Sequence, residues 1–209
     1  MKPYLSFLTW RFDIALQFAS GLHHQQPRKG GSIPYIAHLM GVCGLVLEAG
    51  GDEDQAIAAL LHDAVEDQGG IPTLDTIRHL FGERVAGIVK SCSDSTVSDP
   101  KKKPDWRQRK ERYLAHLRKA NGDVLMVSAA DKLHNARAIL SDYRKVGEKL
   151  WKRFNASKKD QLWYYDHLVA TLQKTGAPKM LVDELERVVK ELNMVVEVRK
   201  HSANYGGAA

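Results

Sequence analysis

The chain has 209 residues, of which 44% are hydrophobic and 27% charged, and this balance excludes disordered, collagen-like and disulfide-scaffold chains. No apolar run approaches the roughly 20 residues of a membrane span, and residues 1–10 do not form a secretory signal. The two cysteines, Cys43 and Cys92, stand in unlike contexts. We therefore expect a cytoplasmic protein with reduced thiols. The net charge of +6 predicts an anionic partner: nucleic acid, a membrane surface or a phosphate-rich small molecule.

Apolar residues recur at helical spacing through most of the chain, and alternating strand patterns and internal repeats are absent. Asp52 is a predicted N-cap, and Gly82 separates two short helices. The predicted helices cover residues 5–21, 35–48, the segment after Asp52, and residues 72–81, 83–91, 105–120, 123–141, 158–174 and 179–195. The sequence therefore predicts an all-α bundle of eight to ten helices.

No linker marks a domain boundary, so we expect the helices to share one core. Residues 93–104 contain two prolines and three consecutive lysines, Lys101 to Lys103, and are predicted to form a mobile, solvated loop. We therefore predict one domain over residues 1–200. Residues 201–209, which end in Gly-Gly-Ala-Ala, are predicted to be a disordered tail.

The strongest signal for chemistry directly follows an apolar helical run. His62, Asp63, Glu66 and Asp67 place four ionisable groups within six positions. Residues four apart share a face of a helix, so a continuous helix would set Glu66 one turn beyond His62 and Asp67 one turn beyond Asp63. An imidazole beside a carboxylate, with a second acidic pair beyond, indicates metal or acid–base chemistry. The alternative is an ordinary solvated helix end.

A metal site needs more ligands than His62 and Asp63 can supply. His38 lies among apolar residues of the second predicted helix and Asp131 among small and apolar residues, where a buried polar group needs a partner. The four residues would form a set of two histidines and two aspartates, which suits Mn, Fe or Zn. Taken singly, His38 fits a hydrogen-bonded core histidine and Asp131 a salt-bridge partner. The other candidate ligands are His23, His24 and Asp123.

This order of ligands resembles the HD superfamily of metal-dependent phosphohydrolases. Three motifs narrow the resemblance to one family. The first is Arg28-Lys29 followed by Pro34-Tyr35-Ile-Ala-His38, and the second is His62-Asp63-Ala-Val-Glu66-Asp67. The third is Asp131-Lys-Leu-His-Asn135-Ala-Arg137. Together they resemble the hydrolase domain of the RelA/SpoT family, with the best fit to the small stand-alone alarmone hydrolases that lack a synthetase domain. The similarity covers residues 5–175.

The resemblance implies metal-dependent hydrolysis of the 3′-diphosphate of (p)ppGpp-like alarmones, with release of pyrophosphate and GDP or GTP. The implied metal ligands are His38, His62, Asp63 and Asp131, with Mn²⁺ as the usual ion and Fe²⁺ or Zn²⁺ as alternatives. The implied acidic pair near the attacking water is Glu66 and Asp67. The implied substrate contacts are Arg28, Lys29, Tyr35, Asn135 and Arg137. Ala138 stands where family members often carry a hydroxyl group that helps to read guanine, so the resemblance does not extend to base selectivity.

Two other functions stay open. An HD phosphohydrolase of different specificity would act on adenine alarmones or on nucleotide and dinucleotide phosphates, and orthophosphate as the product would favour it. A non-catalytic nucleotide sensor or nucleic-acid-binding protein would use the basic surface, but the complete ligand set and the lack of a helix-turn-helix or RNA-binding signature argue against it. We therefore expect a phosphorylated nucleotide as partner, with no nucleic acid and no membrane, and the sequence leaves the oligomeric state open.

Overall fold

Ten α-helices and one 3₁₀ helix make up the part of the chain that the computed structural model describes, residues 8–93 and 105–205. In chain order they are α1 (Trp10–Leu22), α2 (Ile36–Glu48), α3 (Glu53–Leu61), α4 (Ala64–Asp67), α5 (Ile71–Phe81), α6 (Glu83–Cys92), α7 (Trp106–Leu117), α8 (Gly122–Val146), the 3₁₀ helix (Gly147–Arg153), α9 (Lys158–Leu172) and α10 (Lys179–Tyr205). The described residues contain no strand, only an isolated bridge between Pro27 and Pro34. The predicted all-α fold is confirmed.

Local sequence signals set several helix ends. Asp52 forms a capping box with Gln55, in which each side chain bonds the backbone N–H of the other residue. Asn121 accepts a hydrogen bond from the backbone N–H of Val124 and caps α8. Gly82, with φ of 91°, turns the chain between α5 and α6, a conformation that favours glycine. These are the places where capping chemistry is explicit in the sequence.

Two helices run further than their sequence patterns predict. α8 continues to Val146 and is followed by the 3₁₀ helix, a segment to which the sequence assigned no structure. α10 continues to Tyr205, so the backbone of residues 201–205 is helical. Residues 206–209 and 94–104, including Lys101 to Lys103, lie outside the described residues.

The core is arranged around α8, which packs against α2, α3, α6 and α10. Large apolar side chains such as Leu39, Leu61 and Leu133 are at most 1% exposed, and each contributes roughly 1.5–3 kcal/mol by its burial. This packing fixes α2, the end of α3 and the first half of α8 beside one another, and these are the segments that carry the predicted metal ligands. None of the described helices is long and apolar enough to cross a membrane.

Candidate metal centre and active site

The helix that carries His62 is interrupted at this residue. α3 ends at Leu61, and Asp63 adopts φ of −94° and ψ of −5°, a conformation at the edge of the helical region, before the single turn of α4 begins. The prediction of a continuous helix through His62, Asp63, Glu66 and Asp67 is therefore wrong. The interruption turns the Asp63 carboxylate back toward the His62 ring, so that Oδ2 of Asp63 lies 3.0 Å from Nε2 of His62.

The four predicted metal ligands converge on one point between α2, α3 and α8. Nε2 of His38 lies 3.2 Å from Oδ1 of Asp131 and 3.6 Å from Oδ2 of Asp63. Nε2 of His62 lies 3.5 Å from the same oxygen of Asp131. Ligand atoms of His38, His62 and Asp131, all three buried, lie within 4.8 Å of one another, and Asp63 closes the set.

The contacts of the Nδ1 atoms of His38 and His62 indicate which nitrogen of each ring would face a metal ion. Nδ1 of His62 lies 2.8 Å from the carbonyl oxygen of Ala59, so Nδ1 carries a proton and Nε2 is the nitrogen that would offer its lone pair to a metal ion. Nδ1 of His38 lies 2.9 Å from Nδ1 of His134. The buried Nε2 atoms of both rings make no well-directed hydrogen bond within the described part of the chain. Two such nitrogens facing two carboxylates fit a divalent metal ion.

The charges within the cluster support one another. Burial opposes ionisation of Asp63, but the positive charge of a protonated His62 outweighs it and holds the pKa of Asp63 well below its usual range. The pKa of Asp131 is likewise well below its usual range, because Lys132 and His62 outweigh the effect of burial. Burial and the neighbouring His38 lower the pKa of His134 to about 4, so His134 is neutral and accepts the Nδ1 proton of His38.

Three predicted substrate contacts also hold the metal ligands in place. The hydroxyl of Tyr35 donates to Oδ2 of Asp63 at 2.5 Å. The amide of Asn135 donates to Oδ1 of Asp131 at 2.6 Å and accepts from the Arg28 guanidinium at 2.7 Å.

Two adjoining cavities form a continuous cleft beside this cluster. The larger, of about 560 Å³, is lined by His38 and Asn135 and by apolar groups including Ala138, Ile139 and Leu150. The smaller, of about 220 Å³, is strongly polar and includes Asp63 and Glu66 in its lining. The side chains that line both cavities are Lys29, Trp106, Lys110, Lys132, Phe154 and Gln161.

The structure does not bring every predicted site residue to this cleft. Arg137 lies two residues beyond Asn135 on α8, on the opposite side of the helix, and its guanidinium donates to Glu184 of α10 at 3.0 Å. Asp67 is exposed, is bonded to Gln26 and lines neither cavity. It nevertheless lies near the cluster, because burial and the charges of Asp63 and Asp67 raise the pKa of the Tyr35 hydroxyl that donates to Asp63. Of the alternative ligands, Asp123 pairs with Arg84 at a distance from the cluster.

Several residues at the site carry no clear signal in the sequence. His134 supports His38 and lies three residues after Asp131, a spacing that places the two on neighbouring positions of one helix face. The Lys132 ammonium bonds the second oxygen of Asp131 and lies over the Tyr113 ring. His23, to which the sequence assigned only a candidate ligand role, is buried and stacks on Tyr35. Its spacing from the predicted ligand Asp131 is the one sequence signal that points to His134.

A family profile described as HD domain matches residues 15–162, which is more than half of the chain. The chain therefore belongs to the HD domain family. The guanosine-3′,5′-bis(diphosphate) 3′-pyrophosphohydrolase MESH1 of Xenopus tropicalis is 38% identical over 126 residues, or 59% of this chain and 66% of that protein. A probable guanosine-3′,5′-bis(diphosphate) 3′-pyrophosphohydrolase of Synechocystis sp. is 36% identical over 125 residues, or 60% of this chain and 16% of that protein.

Among solved structures, one is described as a metazoan ortholog of SpoT that hydrolyses ppGpp and plays a role in starvation responses. It matches this chain with a TM-score of 0.71 and 26% identity, covering 88% of this chain and 97% of that one. These likenesses confirm the resemblance to the RelA/SpoT hydrolase domain. The chain spans less than two thirds of the length of the curated relatives described above.

Proposed function

We propose that this protein is a metal-dependent phosphohydrolase that removes the 3′-diphosphate of (p)ppGpp-like alarmones, releasing pyrophosphate and GDP or GTP. The observation that carries the proposal is the convergence of His38, His62, Asp63 and Asp131 beside a cleft lined by basic side chains, with Asp63 and His38 in the lining of its two cavities. The likeness to proteins named as 3′-pyrophosphohydrolases, and to a structure described as hydrolysing ppGpp, supports it.

The cleft suits a nucleotide with several phosphates. Lys29, Lys110 and Lys132 line both cavities and place positive charge along the path between them. An apolar stretch of the larger cavity, which includes Ala138 and Ile139, offers a surface for a base and sugar. The substrate would lie with its base in the larger cavity and its 3′-diphosphate beside the metal ligands.

The reaction needs a nucleophile and a route by which a proton moves from the attacking water to the 3′-oxygen. When bound, a divalent ion supplies a water molecule of lowered pKa and positive charge beside the phosphorus. Water attacks the phosphorus attached to the 3′-oxygen, the bond between them breaks, and the pyrophosphate leaves with the new oxygen. Glu66 lines the same cavity as Asp63 and is placed to orient this water and to accept its proton. Glu66 then returns this proton to the 3′-oxygen, either directly or after passing it to Asp67.

Three finer assignments belong to the same proposal. Mn²⁺ is the favoured ion, because a site of two imidazoles and two carboxylates suits a borderline or hard divalent metal. Cytoplasmic location is supported by Cys43 and Cys92, which are both free thiols, one of them buried. A free nucleotide is favoured over nucleic acid as partner, because the basic groups line a cleft whose two cavities, of about 220 and 560 Å³, suit a single nucleotide.

The test is a product assay on a nucleotide panel. Purified protein with Mn²⁺ is given ppGpp, pppGpp, their adenine counterparts and a dinucleotide phosphate, and the products are separated as pyrophosphate or orthophosphate by ³¹P NMR. We expect pyrophosphate from the 3′-diphosphates, and loss of release on adding EDTA or in the Asp63→Asn variant. Asp123→Asn, which changes an aspartate paired with Arg84 away from the site, is the matched control.

Each other outcome identifies a different function. Orthophosphate from the dinucleotide, with no pyrophosphate from any 3′-diphosphate, would indicate a phosphatase of other specificity. Tight nucleotide binding without turnover, unchanged by Asp63→Asn, would indicate a sensor. Equal rates of pyrophosphate release from the adenine and the guanine compounds would show that the site, with Ala138 at this position, does not discriminate between the two bases.

A further inference from the structure

The carboxylate of Asp67 is exposed to solvent yet held in one place. Oδ2 of Asp67 accepts a hydrogen bond of 2.7 Å from the side-chain amide of Gln26, a residue 41 positions earlier in the chain. An exposed aspartate side chain would otherwise rotate among its rotamers. Gln26 belongs to the loop between α1 and α2 and therefore joins this loop to the turn of α4.

Two neighbours fix the orientation of the Gln26 amide. Its carbonyl oxygen lies 2.8 Å from Nδ1 of His23 and accepts a second hydrogen bond of 2.6 Å from the side-chain amide of Gln68. Nε2 of His23 is buried and has no hydrogen-bond partner in the described part of the chain, so a neutral ring with its proton on Nδ1 leaves no donor unpaired. With two donors at the Gln26 oxygen, the amide nitrogen must face Asp67.

The backbone around Gln26 is also fixed. Its N–H donates to the carbonyl of His23 and its carbonyl accepts from the N–H of Tyr35 at 2.8 Å. The rings of His23 and Tyr35 stack, with centroids 5.0 Å apart and planes 16° from parallel. Tyr35 in turn donates to Asp63. One small unit of side chains thus holds both the metal ligand Asp63 and the acidic residue Asp67.

We propose that Gln26 is a positioning residue that orients the Asp67 carboxylate for proton transfer, with His23 and Gln68 setting the direction of its amide. This inference rests on the proposed function, since it gives Asp67 its role in turnover. It assigns no contact with substrate or metal to Gln26. Gln26 acts on the rate of the chemical step, and the binding of metal and nucleotide is left to the other residues.

The test removes the side-chain amide of Gln26 and keeps a side chain of similar length. Gln26→Met keeps the length of the side chain and removes the donor, and Gln26→Glu places a like charge against Asp67. We expect kcat with ppGpp to fall about tenfold in Gln26→Met and further in Gln26→Glu, with KM and the Kd for Mn²⁺ within about twofold of wild type. Gln55→Met is the matched control, because Gln55 also donates to a carboxylate, that of Asp123, but far from the cleft.

A second measurement follows the carboxylate itself. Three-bond NMR couplings about χ1 of Asp67 should report one rotamer in the wild type and an average over rotamers in Gln26→Met. An unchanged rotamer in that variant, an unchanged kcat, or a change confined to KM or to metal affinity would overturn the inference and leave the proposed function standing. A wild type that releases no pyrophosphate from any 3′-diphosphate would overturn both.

Discussion

Gly41 of α2 lies so close to His134 of α8 that a Cβ atom at Gly41 would come within 2.3 Å of Nε2 of His134. The His134 ring fills this space, and its other nitrogen, Nδ1, lies 2.9 Å from Nδ1 of His38, a predicted metal ligand. Because Gly41 has no side chain, the His134 ring can pack against α2 and contact the His38 ring through Nδ1.

Gly41→Ala should weaken metal binding. The added methyl group must displace the His134 ring, and partners of this kind to a ligating histidine typically contribute 10–100-fold to metal affinity. Titration calorimetry with Mn²⁺ measures the effect. Gly44→Ala is the control on the same helix, because nothing lies within 4 Å of its added Cβ and alanine favours the helix. Equal Mn²⁺ affinities in the two variants would show that His134 does not support His38.

Gly30→Ala should weaken substrate binding more than turnover. Gly30 has φ of 77°, and a Cβ there would lie 2.3 Å from Cδ of Arg153, so alanine must shift the loop that carries Arg28 and Lys29. We expect KM for ppGpp to rise about tenfold with kcat little changed, as for a loss of uniform binding. Gly31→Ala, whose added Cβ meets nothing within 4 Å, should leave KM unchanged. The same KM in both variants would contradict this role for Gly30.

Tyr35→Phe should lower metal affinity through Asp63. The Tyr35 hydroxyl donates to the oxygen of Asp63 that faces both ligand histidines, and a hydrogen bond to a charged group contributes about 1.5–3 kcal/mol. We expect the Kd for Mn²⁺ to rise about tenfold or more. Tyr143→Phe removes a similar bond, to Glu148 at 2.6 Å, away from the cleft, and should change stability alone. Calorimetry and thermal unfolding of both variants separate the two effects.

The fold could be predicted from the sequence where the signal is local. The capping residue Asp52 and the glycine at 82 mark helix ends by their own chemistry, and these ends agree with the structure. The extension of α8 to Val146 depends on packing against α10, which no local pattern encodes. The interruption at Asp63 was missed because an apolar run followed by charged residues fits a continuous helix equally well.

The candidate site divides in the same way. His38, His62 and Asp131 could be named because their order along the chain is itself a pattern. His134 and Gln26 could not, because each acts on a residue distant in sequence, and those contacts arise only when α2, α4 and α8 come together. Arg137 shows the reverse case, since its motif suggests a substrate contact but its position on α8 directs it to α10.

The pair of Arg137 and Glu184 should contribute to stability in a pH-dependent way. Hydrogen bonds from Arg187 and Arg137 outweigh burial and lower the pKa of Glu184 to about 2. Because this pKa lies below that of an unfolded glutamate, about 4.3, the stabilisation is present above that value and is lost as pH falls toward 2. Glu184→Gln should therefore reduce stability at pH 7 by at most about 1 kcal/mol, as for other exposed pairs.

Urea unfolding of wild type and Glu184→Gln at a series of pH values checks this, and the two stability curves should converge between pH 5 and pH 2. The companion variant Arg137→Gln should lose less stability than Glu184→Gln at pH 7, because Arg187 still bonds Glu184. We expect its KM for ppGpp to stay within about twofold of wild type, because the Arg137 guanidinium is bonded to α10 and does not line the cleft. A tenfold rise in KM would instead indicate that Arg137 contacts the substrate, as its motif suggests. The Arg137 side chain would then have to leave Glu184 when the nucleotide binds.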